Sequence, residues 1–347
     1  MKHTHLLKPI LKLKFTLLLL SGWLIFMSCQ SETPVIMTVT GAIPTTEMGL
    51  TLAHEHLLVD FIGADSTGYH RWQRNEVVKK VLPYLNEIKA LGVKTLVECT
   101  PAYLGRDPQL LQILSEQTGL HLLTNTGYYG ARQNKFVPTH AFEETVEQLA
   151  ARWINEWQNG IEATGIKPAF IKIAVDRDDT LSKMHQKIVR AAARTHLQTG
   201  LTIMSHTGPE KPALAQLAIL AEEGVAPEAF IWTHAQRGTP AAHIECAQNG
   251  AWVSLDNMNA DLVRVHQFVE LLTNLKQHHL LDHVLISHDA GWYHVGEPEG
   301  GTFRSFTSIF TDLIPVLKKK GFSDEDINQL LVANPRAAFR IQVRPLK

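Results

Sequence analysis

Leu50-Thr51-Leu52-Ala53-His54-Glu55-His56-Leu57-Leu58-Val59-Asp60 decides how this chain is read. The run is apolar on both sides of a short polar core and shorter than a typical helix, so it predicts a buried strand over residues 49–59. Residues two apart on a strand share a face. His54 and His56 therefore stand side by side, roughly 6–7 Å apart at their roots, while Glu55 turns the other way. Two imidazoles so placed can close on one metal ion; a helix would splay them. Two histidines satisfied by ordinary hydrogen bonds give the same pattern, so the rest of the chain has to decide.

From residue 49 onward, short apolar runs alternate with longer segments of helical pattern. Strands are expected at 49–59, 93–99, 121–127, 169–175, 201–206, 230–235, 252–256 and 284–289. Between them lie expected crossover helices at 75–91, 107–118, 141–158, 180–199, 209–224, 239–249 and 260–280, then one at 303–320. Gly92, Gly200, Gly224, Gly250 and Gly321 fall just past helix ends, where a left-handed cap is wanted. Strand–helix alternation repeated eight times predicts a parallel sheet closed into a (β/α)8 TIM barrel. A doubly wound open sheet is the alternative, but the first strand lacks the glycine-rich turn such sheets usually carry. Residues 35–347 show no linker or repeat that would divide them, and 323–340 read as a closing helix.

A chain of 347 residues with 45% hydrophobic content and a formal net charge of −1 has the composition of an ordinary globular protein. Nothing in that charge balance suggests a nucleic-acid partner. Residues 1–28 stand apart: Lys2, Lys8, Lys12 and Lys14 precede an apolar run from Phe15 to Met27, too short for a typical membrane-spanning helix. That is the pattern of a secretory signal. Ser28-Cys29 at its end resembles the lipobox of bacterial lipoproteins, which implies lipidation of Cys29 and an exported protein held at the periplasmic face or outer membrane by its lipid alone. An ordinary cleaved signal and plain secretion is the alternative. Of the other cysteines, Cys99 and Cys246 are expected to be two free, buried thiols.

Active sites of barrels lie at the C-terminal ends of the strands. The first strand offers His54 and His56 there. The fourth has Lys172 inside an apolar run; the fifth ends in His206, the sixth in His234 and the eighth in His288-Asp289. Any one of these is more often structural than functional. Four histidines, an aspartate and a buried lysine meeting at one mouth are hard to explain as packing, because buried polar groups cost free energy unless partnered. Lys172 has three readings. It reaches solvent, or forms a Schiff base as in a lyase, or is carboxylated to an anionic carbamate able to bridge two cations. The surrounding imidazoles favour the carbamate. His288 should point to the other side of its strand, and Asp256 has a proton-relay or a structural reading.

These positions resemble the binuclear metal pattern of the phosphotriesterase family in the amidohydrolase superfamily, from about Gly41 to the C-terminus. The resemblance implies that His54, His56 and Asp289 hold the more buried of two divalent ions and that His206 and His234 hold the more exposed one. Carboxylated Lys172 and a hydroxide would bridge them. Zinc suits the donor set, with manganese, cobalt or iron as alternatives. Thr126-Gly127-Tyr128-Tyr129 is similar to the tyrosine-bearing turn of the family's lactonase branch, with Tyr129 facing substrate. Members of that branch often have Arg after Leu-Asp in the seventh unit; here Asn257 follows Leu255-Asp256, which sets this chain apart from the acyl-homoserine lactone cleavers.

The implied chemistry is metal-assisted hydrolysis, with Asp289 as proton acceptor and Tyr129 beside the developing oxyanion. Residues 291–301 are aromatic and carry two acids, and Tyr128, Tyr129, Arg132, Gln133 and Asn134 follow the third strand. These loops suggest a polar or sugar-type lactone as substrate, with phosphotriester cleavage as a side activity. A homodimer is compatible with the sequence. The rival readings are a Schiff-base lyase on Lys172 and a non-catalytic, metal-stabilised binding lipoprotein.

Overall fold

The computed structural model describes residues 34–347. Its centre is a ring of parallel strands taken in chain order. They are β1 (Thr51–Val59), β2 (Thr95–Glu98), β3 (His121–Leu123, resumed at Asn125–Thr126), β4 (Phe170–Ala174), β5 (Thr202–His206), β6 (Phe230–Thr233), β7 (Trp252–Leu255) and β8 (Val284–Ile286). Neighbours pair in parallel, with Leu52 opposite Leu96 and Lys172 opposite Met204. The ring closes just past β8, where the Asp289 N–H donates to the His54 carbonyl and the His56 N–H to the Ala290 carbonyl, both at 3.0 Å. The fold is the expected (β/α)8 barrel.

The crossover helices lie close to their expected spans, among them Arg74–Ala90, Lys183–Thr199 and Leu262–Gln277. The 141–158 helix is instead broken into Thr139–Glu143 and Val146–Asn159. Thr145 and Gln148 form a capping box at the break, which satisfies the N-terminal amides of a fresh helix. The 303–320 helix begins only at Ile309. All five predicted cap glycines have positive φ.

Two elements were absent from the expectation. A hairpin, Val35–Thr38 with Gly41–Pro44, precedes β1 and sends Ile36 into the barrel floor. There Ile36 joins Met48, Phe170, Met204, Trp252 and Phe339 in an interior apolar cluster. A ninth strand, Gly291–His294, runs parallel beside the end of β1. The strands' outer faces and the helices bury a second, larger core. Apolar side chains thus fill the floor of the barrel, and its polar residues collect at the opposite end. Cys99 and Cys246 are free and buried, as expected. Among the described residues no helix is long and apolar enough to cross a membrane. The signal and Cys29 lie outside the described residues.

Candidate metal centre and active site

Alternation alone would not bring the β1 histidines inward. Ala53 belongs to the barrel-floor cluster, so its neighbour His54 should face outward. The β1–β2 register shifts between Leu52 and Glu55, and such an irregularity resets which face a side chain takes. Beyond it, His54 and His56 both line the central cavity. Glu55 points away, as expected. It is buried and accepts from Ser287 Oγ at 2.7 Å, the His288 and Ala290 amides at 3.0 Å and His288 Nδ1 at 2.8 Å. It pins the β8 end to β1. His288 is therefore a structural partner of Glu55, outside the cavity.

The other predicted residues arrive by different local devices. Lys172 follows from simple alternation after Phe170 on β4. His234 (φ 61°) and Asp289 (φ 50°) reach the cavity through left-handed backbone, strain that a surrounding structure has to hold in place. Gly127 (φ +110°) runs so close to β4 that a Cβ there would lie 2.2 Å from the Lys172 carbonyl oxygen. That approach lets Tyr129 bridge to Ala174 and sets its ring 5.1 Å from that of His206.

His54, His56, Tyr129, Lys172, His206, His234 and Asp289 all line one cavity of about 520 Å³. His56 Nε2 lies 3.1 Å and His54 Nε2 3.7 Å from Asp289 Oδ1. These separations suit two ligands of one cation, which at metal–ligand distances near 2.1 Å and tetrahedral angles stand about 3.4 Å apart. His206 Nδ1 and His234 Nε2 are 2.7 Å apart, too close for two lone pairs without a proton or cation to share. Lys172 is 1% exposed, and among the described residues its Nζ has no hydrogen-bond partner. An ammonium so placed is unfavourable, whereas an anionic carbamate beside cations is not. The donors present fit a divalent-metal centre.

A shell of buried groups orients these rings. Thr100 Oγ donates to the Leu58 carbonyl at 2.9 Å, so it accepts from His56 Nδ1–H at 2.8 Å and leaves Nε2 free to ligate. Asp256, fully buried, accepts from His54 Nδ1 at 3.1 Å, from His234 Nδ1 and from the His234 amide at 3.1 Å. It is held in turn by Ser254 and Gln236. One carboxylate on β7 thus aligns a histidine from β1 and one from β6.

The electrostatics follow from burial. Desolvation, then Lys172 in its ammonium form, pushes the His54 pKa down to about 4. Burial also lowers His56, and burial followed by neighbouring His234 holds His206 well below its usual value. These three imidazoles are neutral at pH 7 and present lone pairs. Burial works against a charged His234 too, but Asp256 outweighs it and raises its pKa. Burial would raise Asp289, yet its bond to His56 and the other imidazoles pull it below the carboxylate norm. Burial keeps the Tyr129 phenol protonated well above neutral pH.

The substrate loops need correction. Of residues 291–301, only Trp292 lines this cavity; Tyr293, Glu297 and Glu299 line a separate groove with Arg71, Lys79 and Lys80. The twist of the ninth strand along β1 turns that loop away from the mouth. Tyr128 also faces elsewhere and bonds His140 at 3.0 Å. The cavity's polar rim comes from Arg132 and Gln133 after β3, both named from the sequence, and from Asp176, Arg177 and Asp178 after β4 and Arg237 after β6, which were not. The Asp176-Arg177-Asp178 run stands directly after a strand end, a signal available in the sequence.

Comparison with known proteins places the chain among its relatives. The chain is 29% identical over 294 residues to the phosphotriesterase homology protein of Escherichia coli, covering 84% of this chain and 98% of that one. It is 29% identical to the aryldialkylphosphatase of Saccharolobus solfataricus (86% and 97%) and 26% identical to the N-acetyltaurine hydrolase of Mus musculus (87% and 96%). The organophosphorus hydrolase of Deinococcus radiodurans superposes with a TM-score of 0.77 at 28% identity, over 88% of this chain and 96% of that structure. The sequence profile of the phosphotriesterase family matches residues 34–339, and the chain belongs to that family of hydrolases.

Proposed function

We propose that this hydrolase uses two divalent ions, most simply zinc, to cleave carboxyl esters, with lactones as the working substrates and phosphotriesters as a side activity. The observation that carries the metal-dependent reading is Lys172 Nζ, buried and, among the described residues, unpartnered in the cavity that His54, His56, His206, His234 and Asp289 also line. A bound metal pair supplies Lewis acidity, acidifying water and polarising a carbonyl oxygen. His54, His56 and Asp289 would hold one ion and His206 and His234 the other, with carboxylated Lys172 shared. Asp289, ionised because its pKa is low, accepts the water's proton. Tyr129, kept protonated by burial, donates to the developing oxyanion. Phe61 and Trp292, with ring centroids 5.4 Å apart, form an apolar wall that limits water at the site.

The mouth's arginine, glutamine and aspartate side chains favour a polar ester over the wholly apolar pocket that a dialkyl aryl phosphate would need. The test is metal analysis and kcat/KM for purified protein, with and without chelation, on a lactone panel. An aryl dialkyl phosphate and N-acetyltaurine serve as comparators, after the relatives' names. Metal-dependent turnover of lactones ahead of both comparators is expected. Preference for the phosphotriester or the amide would replace the ester reading. Borohydride trapping on Lys172 with a carbonyl substrate would replace hydrolysis by a Schiff-base lyase.

A further inference from the structure

The cavity mouth carries a charge that the strand-end residues do not explain. Arg132, Arg177 and Arg237 line it from three different loops. Among the described residues none of the three guanidiniums forms an ion pair. By contrast Arg71 and Arg74, which are part-exposed, and the buried Arg106 pair with Asp60, Asp107 and Glu156 at 2.6, 2.7 and 2.8 Å. The rim's acids, Asp176 and Asp178, offset the charge of the three arginines only in part. Asp176 Oδ1 is occupied by the Arg132 amide at 2.6 Å and Oδ2 by the Gln133 amide at 3.2 Å. Asp178 is the one other carboxylate lining the mouth, Asp289 lying deeper among the imidazoles.

Arg132, Gln133 and Asn134 have φ of 59°, 57° and 62°. Three consecutive left-handed non-glycine residues are unfavourable, and the Asp176 carboxylate holds two of their amides. The Arg132 guanidinium lies 5.4 Å from the Phe61 ring centroid, against the wall formed with Trp292. Guanidiniums that form no ion pair among the described residues and line one cavity suit an oxyanion, which they bind in a planar, forked geometry.

We propose that Arg132, Arg177 and Arg237 form an oxyanion-binding rim, so that the preferred ester or lactone carries a carboxylate, sulfonate or phosphonate away from its scissile bond. This rests on the ester-hydrolase reading above. The kinetic test compares γ-butyrolactone-γ-carboxylate with the corresponding neutral carboxamide. The binding test is calorimetry at fixed ionic strength with glutarate, sulfobutyrate and phosphonobutyrate, against neutral glutaramide, so that the three anions rank the oxyanion classes.

The wild type is expected to favour the charged lactone in kcat/KM by about tenfold or more, as charge-assisted hydrogen bonds allow. The triple variant Arg132→Ala/Arg177→Ala/Arg237→Ala should bring that ratio toward unity and weaken anion binding by a similar factor. Should the triple variant not fold, the single changes Arg177→Gln and Arg237→Gln, both on exposed loop side chains, give the same comparison. A ratio near unity in the wild type, or anion binding unchanged in the variants because the centre alone holds the carboxylate, overturns the rim. If neither lactone is turned over yet anion binding still needs the arginines, the ester reading fails and the rim stands.

Discussion

At the scale of single residues, the candidate centre is legible wherever a polar side chain interrupts an apolar strand end. His54, His56, Lys172, His206, His234 and Asp289 are all of this kind, and all reach one cavity. What is not legible is a contact made across the ring. Asp256 is ordinary in sequence, and only the closed barrel brings it to His54 and His234 together. Two predictions follow from these roles. Lys172→Ala should lose bound metal along with activity, and a small carboxylic acid that fills the gap should restore part of both. Full metal content in Lys172→Ala, measured by elemental analysis, would refute the shared carbamate. Asp256→Asn removes the negative charge that both imidazoles face. Losing such an outer partner commonly costs about 10–100-fold in metal affinity or activity, and competition with a chelator would show it. Unchanged metal affinity would mean that the rings are aligned without Asp256.

At the scale of elements, the eight strands and their crossovers follow from periodicity because burial on both faces and capping are local signals. The departures come from tertiary geometry. The irregularity in β1 is invisible in a run that reads equally well as plain alternation, and it decides that Ala53, His54 and His56 can all face inward. The ninth strand looks like a loop because its pairing partner, the end of β1, lies over two hundred residues earlier. Its pairing turns Glu297 and Glu299 away from the cavity, which the sequence pattern alone cannot foretell. Gly127 belongs to this scale as well, since it sets the distance between the β3 turn and β4. Gly127→Ala adds a Cβ at positive φ directly against backbone that carries Lys172. It should destabilise the barrel by more than about 2 kcal/mol and impair metal binding in whatever fraction folds. Denaturant unfolding and metal titration would measure the two effects, and a variant of wild-type stability would show that the turn and β4 can separate at little cost.

At the scale of the whole molecule, export and anchoring through Cys29 remain our proposal from the sequence, and membrane fractionation of Cys29→Ala tests them. An unchanged membrane-bound fraction would leave plain secretion. Within the barrel, the closing segment is tied back to the body by His196, which is fully buried in the Lys183–Thr199 helix. Its Nδ1–H donates to the Leu201 carbonyl at 2.8 Å, and its Nε2 accepts from the Arg344 amide at 2.9 Å. The second of these bonds requires the neutral ring, and burial lowers the pKa to about 4. An unfolded histidine titrates near 6.5. Because the folded value is the lower one, this contribution to stability is fully present above pH 6.5. It declines as pH falls and is gone below about 4, a loss on the order of 3 kcal/mol at most. Other buried histidines titrate in the same direction, so the absolute acid lability does not isolate this one. The difference between wild type and His196→Gln does, because an amide can keep a donor and an acceptor but cannot titrate. The gap in unfolding free energy between the two proteins, measured with metal saturating, should be constant above pH 6.5 and shift in favour of the variant toward pH 4. A gap that stays constant across that window would show that the tie between Arg344 and the helix does not depend on a neutral imidazole.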